Sequence, residues 1–258
     1  MMSTEKPANE IRYIGYENIL GAVIRPGRGS VLNHKTCGDS ILIDFENNFF
    51  AVADSPERNP LASKAFLRKL HSTLTPILAG REDNKTTKRE DAELIDRIVK
   101  NTNRVIKSTD YNESTTFTGV IIVCRSGMGK ALLLHTGDSL LCHYRIGKMT
   151  AEKITTTNHH FVGRVNELYQ VVLFDYFTDS RLLLATDGIN DLLRNVIGDG
   201  NGKIEKVCLE ILEKHSVDIF PEKLLSLYDM NPEKSDDLGL IAVNPTFQYD
   251  GVKSSIFI

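Results

Sequence analysis

The apolar residues of this chain fall into short runs, and nearly every run is bounded by an aspartate. Ile41 to Phe45, Phe49 to Ala53, Phe117 to Cys124, Ala131 to Thr136, Leu140 to Arg145, Tyr169 to Phe174, Arg181 to Ala185 and Leu238 to Val243 read as strands. Asp39 precedes the first run and Asp54 follows the second. Asp138 stands in the Gly137-Asp138-Ser139 corner, Asp187 follows Ala185 with Asp191 one helical turn on, and Asp236-Asp237 precede Leu238. Carboxylates at strand ends project from the rim of a sheet, where several can converge. Converging carboxylates repel one another unless they are protonated or hold a cation, and hard oxygen donors select Mg²⁺ or Mn²⁺. Asp187 and Asp191, four apart at a helix start, share a face and could grip one ion. Taken alone, each aspartate fits a turn or a helix N-cap equally well, so spacing leaves open whether they meet.

Between the strand runs lie helix pairs. Leu67, Leu70 and Leu74 recur at helical spacing after Pro60, and Pro76 is expected to end that helix. Leu94, Ile95, Ile98, Val99, Val105 and Ile106 mark one face of a second. A short helix is expected around Asp191 to Val196, another over the stripe Ile204, Val207, Cys208, Ile211 and Leu212, and a further one started by Pro221. Strand runs that alternate with helix pairs rather than single helices predict the α+β class, with mainly antiparallel sheets covered by helix pairs. No repeat or boundary interrupts residues 1–258, which read as one domain with polar residues 1–9 expected to be flexible.

Composition removes several functions. A chain of 258 residues needs no metal or disulfide to build a core. With 31 Lys plus Arg against 34 Asp plus Glu, a formal charge of -3 and no basic stripe, the footprint of a nucleic-acid binder is missing. The longest apolar stretches, Gly119 to Cys124 and Ala131 to Leu134, fall far short of the ~20 residues that span a bilayer. The N-terminus lacks the apolar core of a secretion signal. Cys37, Cys124, Cys142 and Cys208 are scattered, with no Cys-x-x-Cys pair, and read as free thiols of a cytoplasmic protein.

Read in order, Gly38-Asp39-Ser40, the hairpin ending in Ala53-Asp54, Thr115-Thr116, Thr136-Gly137-Asp138-Ser139, Leu184-Ala185-Thr186-Asp187-Gly188 with Asp191, and Ser235-Asp236-Asp237-Leu238 resemble the motifs of the metal-dependent serine/threonine phosphatases of the type 2C family. The resemblance covers roughly residues 10 to 245. It implies a four-layer α-β-β-α sandwich of two antiparallel sheets, with the metals at one end. It also implies that Asp54 bridges two Mg²⁺ or Mn²⁺ ions, that Ser55 offers its backbone carbonyl, and that Asp187 and Asp236 ligate the first ion. Asp138, with Asp187 and Asp191, matches a weaker third-metal site, and Asp39 an acid that orients bound water. The implied reaction is hydrolysis of phosphoserine or phosphothreonine on a protein by a hydroxide formed from water shared by the two ions.

The sequence differs from the family pattern at several of these positions. The glycine-rich loop after the bridging acid is Asp54-Ser55-Pro56-Glu57-Arg58, so its flexible glycines are gone. Gly38 stands where a glutamate usually precedes Asp39, which removes one contact to the second ion. The phosphate-gripping arginine of the family falls at His34, with Arg28 nearby. These substitutions motivate the competing expectation of a pseudophosphatase that keeps the fold as a binding or regulatory module. Ser126-Gly127-Met128-Gly129-Lys130 lacks the first glycine and the following hydroxyl of a phosphate-binding loop and reads as a hairpin turn. His159-His160, with no acid or thiol at ligand spacing, reads as a loop pair.

Overall fold

The computed structural model describes residues 11–27, 30, 37–56, 59, 61–79, 88–124, 129–197, 204–229, 236–246 and 255–257. In chain order its elements are β1 (Arg12–Tyr16), β2 (Leu20–Arg25), β3 (Ser40–Asp44), β4 (Phe49–Ala53), α1 (Ala62–Leu78), α2 (Lys88–Lys107), β5 (Phe117–Cys124), β6 (Gly129–Thr136), β7 (Leu140–Arg145), β8 (Thr150–Lys153), β9 (Gln170–Tyr176), β10 (Ser180–Ala185), α3 (Gly188–Ile197), α4 (Ile204–Lys214), α5 (Phe220–Tyr228), β11 (Leu238–Val243) and β12 (Ser255–Phe257). They form two sheets, ordered β1-β2-β11-β10-β7-β8 and β12-β3-β4-β5-β6-β9. Every pairing among the described strands is antiparallel. The class is α+β, as the sequence predicts.

Three apolar clusters separate four layers. Between the sheets, Leu20, Ala22, Ile24, Leu182, Leu184 and Ile241 of the first meet Ile41, Ile43, Val52, Val120 and Leu133 of the second. The outer face of the first sheet carries Val23, Leu183 and Leu240 under Leu193 of α3, Leu212 of α4 and Phe220 of α5. The outer face of the second carries Leu42, Phe49, Ala51 and Leu132 under Leu67, Leu70 and Leu74 of α1 and Ile98 and Ile106 of α2. Central strands are therefore buried on both faces and read as continuous apolar runs. Strands with little cover, such as β1 and β9, alternate or are polar.

That difference explains the edge strands that sequence expectation passes over, but not β2, an interior strand buried along its length. β1, β2, β8 and β12 carry no expectation; β1 and β8 are polar edge strands, and the three residues of β12 pair with β3 beyond what was expected to be the last strand. The helix expected to stop at Pro76 runs on to Leu78. Pro76 sits inside its last turn, where the missing N–H breaks only one bond of the helix. The β3–β4 hairpin turns at residues 45–48, where Asp44 accepts the backbone N–H and the side-chain amide of Asn47, and Asn48 adopts a left-handed φ of 53°. Cys142 and Cys208 are buried free thiols, as expected. Arg28 and His34, with most of the Ser126 to Lys130 turn, lie outside the described residues, as does Cys124 beyond its backbone. No described helix is long and apolar enough to cross a membrane.

Candidate metal centre

Register gathers the aspartates. Ser40 pairs with Ala53, so Asp39 and Asp54 leave β3 and β4 at the same end. Phe117 pairs with Thr136, Leu140 with Ala185, and Leu238 with Arg25, which brings Thr115-Thr116, Asp138, Asp187 and Asp236-Asp237 to that end of the two sheets. Antiparallel pairing can do this for residues far apart in the chain because each strand end lies opposite its neighbour's start. Carboxylate oxygens of Asp54, Asp138 and Asp187 come within 4.8 Å of one another.

The backbone around Asp54 is held by a threonine pair. Thr115 Oγ1 and the Thr116 N–H both donate to the Asp54 carbonyl, at 2.6 and 2.8 Å, and the Asp54 N–H donates to Thr116 Oγ1. Ser55 is buried, its hydroxyl accepting the Ser63 N–H. Asp39, only 2% exposed, accepts the Thr186 hydroxyl on Oδ2 at 2.6 Å. Thr186 is itself fixed by the Gly239 N–H. Thr186 stands in a motif quoted from the sequence without a role; its neighbourhood to Asp39 is created only by sheet pairing.

Several predicted site residues sit apart from this group of three. Asp191 turns one oxygen to Arg194 and accepts the Asp236 N–H on the other, at 3.3 Å, which ties the start of α3 to the chain ahead of β11. Asp236 is exposed at the rim. His159 and His160 lie in a loop, as the sequence predicts. That loop flanks Asp138: Asn158 Oδ1 accepts the Gly137 and His160 N–H groups, and Thr136 Oγ1 donates to the His160 carbonyl. Nothing in the spacing of Asn158 reveals this role.

Crowding shows in the proton affinities. Burial, then the Asp187, Asp236 and Asp138 charges, push the Asp54 carboxyl far above its usual range. Burial and then Asp54 do the same to Asp39, and burial, Asp138, Asp236 and Asp191 raise Asp187 from 3.8 to about 6. Burial also raises Asp138, against the pull of His159 and Lys153. Two oxygens, Asp39 Oδ1 and Asp138 Oδ1, are buried without a donor among the described residues. Ionised buried oxygens need a proton or a cation. An all-carboxylate donor set with orphaned oxygens fits Mg²⁺ or Mn²⁺, which take hard oxygen ligands.

Comparison with solved structures agrees with this geometry. The Mycobacterium tuberculosis serine/threonine phosphatase PstP superposes with a TM-score of 0.59 at 16% identity, over 91% of this chain and 98% of that one. The fold is that of the type 2C phosphatases. The same type 2C fold is found in RsbX in complex with magnesium, at a TM-score of 0.57, 15% identity and 90% and 98% coverage. The PstP catalytic domain in complex with two manganese ions matches with a TM-score of 0.56 at 18% identity, over 87% and 98% of the two chains. No protein-family model and no curated protein matches the sequence.

Gly188 gives a local test of the centre. A Cβ there would fall 1.9 Å from the Asp237 carbonyl oxygen, a backbone atom of the segment that follows Asp236. Gly188→Ala is expected to cost about 1–3 kcal/mol and to weaken Mn²⁺ binding, read by thermal melting with and without the ion. A variant with unchanged melting and metal response would show that the contact is slack.

Proposed function

We propose that this chain is a metal-dependent phosphatase that removes phosphate from phosphoserine or phosphothreonine on protein substrates. The observation that carries the proposal is the meeting of Asp54, Asp138 and Asp187 at one end of a type 2C sandwich. Asp54, Asp187 and Asp236, with the Ser55 carbonyl, would hold two Mg²⁺ or Mn²⁺ ions, and Asp138, with Asp187 and Asp191, a third. Bound divalent ions of this kind lower the pKa of water and neutralise phosphate charge. Asp54, fixed by Thr115 and Thr116, keeps its carboxylate at the centre of the group. Asp39, locked through Oδ2 by Thr186, presents Oδ1 as the acceptor that orients a water proton. His34 and Arg28 would grip the substrate phosphate. The magnesium and manganese complexes of RsbX and PstP support the choice of ions.

The test is hydrolysis of p-nitrophenyl phosphate and of a phosphoserine peptide with Mn²⁺, with Mg²⁺ and with EDTA. Turnover with either ion and none with chelator is expected. Turnover unaffected by chelator would reject the metal assignment. One observation favours the binding-module alternative: a Cβ on Gly38 would lie 2.6 Å from the Ser55 carbonyl oxygen, so the backbone is closed around a residue with no carboxylate to offer. A folded protein that binds the phosphopeptide without hydrolysing it under any metal condition would decide for that alternative.

A further inference from the structure

Asp237 is the acid of this end of the molecule that the proposed ligand set does not use. Its carboxylate is occupied by other parts of the chain. Oδ1 accepts the Gly27 N–H, and Oδ2 accepts the Gly38 N–H at 2.6 Å and the Ser30 hydroxyl at 2.8 Å. The Cys37 thiol lies beside it, and burial, Asp39 and Asp237 keep that thiol protonated well above its ordinary range. A carboxylate already holding three donors has little capacity left for a cation. The donors come from the chain as it leaves β2, from its middle, and from its entry into β3.

The backbone of the same residue is clasped from two sides. A Cβ on Gly27 would fall 2.3 Å from the Asp236 carbonyl carbon, and one on Gly188 would fall 1.9 Å from the Asp237 oxygen. From Gly38 the connection continues to the other proposed ligands. Its carbonyl accepts the Ser55 N–H at 3.2 Å and the Ser63 hydroxyl at 2.6 Å, and the next residue is Asp39. Asp237 thus ties the strand that presents Asp236 to the strand ends that present Asp39 and Ser55.

We propose that Asp237 is a positioning residue: by holding Gly27, Ser30 and Gly38 it sets the spacing of Asp236, Asp39 and Ser55, so that, on the cation-binding reading of the site, divalent-ion affinity depends on a carboxylate that ligates no ion. A carboxylate suits this place better than an amide. Asparagine can satisfy Gly38 and Ser30 through its oxygen but sets an NH₂ against the Gly27 N–H.

The test is a double-mutant cycle read as Mn²⁺ affinity and stoichiometry, by electron paramagnetic resonance of the free ion, on Asp237→Ala, Ser30→Ala and the double variant. Asp237→Ala is expected to weaken Mn²⁺ binding about 10- to 100-fold with the number of ions per chain unchanged. Ser30→Ala is expected to weaken it severalfold, and the double variant to be no weaker than Asp237→Ala, because both act through one contact. A silent Ser30→Ala, with one ion lost in Asp237→Ala, would make Asp237 a ligand and overturn the proposal. Amide hydrogen exchange of the metal-free protein supplies a readout independent of any ion. Exchange at Gly27 and Gly38 should accelerate in Asp237→Ala, and unchanged exchange there also overturns the proposal. Should the alanine variant not fold, Asp237→Asn is expected to accelerate Gly27 alone, and equal exchange at Gly27 and Gly38 would reject the clamp. A wild-type protein that binds no Mn²⁺ would defeat the metal assignment, while the exchange experiment would still decide the role of Asp237.

Discussion

Asp54→Asn is expected to lower metal-dependent hydrolysis by at least about a hundredfold while raising the melting temperature of the metal-free protein. Both effects have one cause. Asp54 feels the charges of Asp187, Asp236 and Asp138 and shares its burial with Asp39. Removing its charge deprives an ion of the donor nearest the centre of the cluster, but it also removes the repulsion that burdens the empty cluster. Asparagine keeps the shape and offers an NH₂ toward the acids around it, among which Asp39 Oδ1 has no donor. Parallel assays of turnover and melting, with and without Mn²⁺, check the prediction. Full activity, or a lower melting temperature without metal, would place Asp54 outside the working centre.

The acid cluster of the metal-free protein is further expected to contribute less stability as pH rises from about 4 to 8, against the buried His135 imidazole, held down at about 4, whose contribution grows over the lower part of the same range. A carboxyl whose folded pKa is raised binds its proton more tightly in the folded state, so its contribution is complete below the unfolded value and is lost as pH climbs through the folded one. For Asp187 that window runs from 3.8 to about 6, a shift worth about 3 kcal/mol. Asp54 and Asp39 extend the loss to higher pH. On a chain of this size the Asp187 contribution alone corresponds to a fall in melting temperature on the order of 5 °C or more. Saturating Mn²⁺ should reverse the trend, since the ion binds the ionised cluster and stabilises the folded state by mass action. Melting curves of the wild type and of Asp187→Asn at pH 4 and pH 8, each with EDTA and with Mn²⁺, test this by difference. A variant whose melting in EDTA changes with pH as much as the wild type's would show that Asp187 is not crowded by the other acids.

The strands that carry the proposed ligands were legible for a specific reason. β3, β4, β7, β10 and β11 lie inside the sheets and are covered on both faces, so their sequences are almost unbroken apolar runs with clear ends. Asp39, Asp54, Asp138, Asp187 and Asp236 mark those ends. The edge strands β1 and β8 leave no such trace, because an edge strand meets water and tolerates polar residues. Likewise the periodicity of α1 was clear, while its end was misplaced by Pro76, whose effect depends on how many turns follow it.

The functional detail was less visible. Asp191 and Asp187 have the spacing of a shared helical face, but nothing in that spacing shows that Asp191 also meets the Asp236 N–H. Thr186, Asn158 and Asp237 act on partners 147, 21 and about 200 positions away in the chain, so no local pattern announces them.

Residue order alone determined the alternation of buried strands with amphipathic helix pairs, and it placed an acid at the end of nearly every buried run, because burial on two faces and helical periodicity are both written in neighbouring residues. Only the tertiary structure decided that these acids meet, which of them face one another, and which is tied to the backbone as a clamp. Strand register and hydrogen-bond partners are set by contacts between segments distant in the chain, and their energies depend on distances that no linear spacing contains.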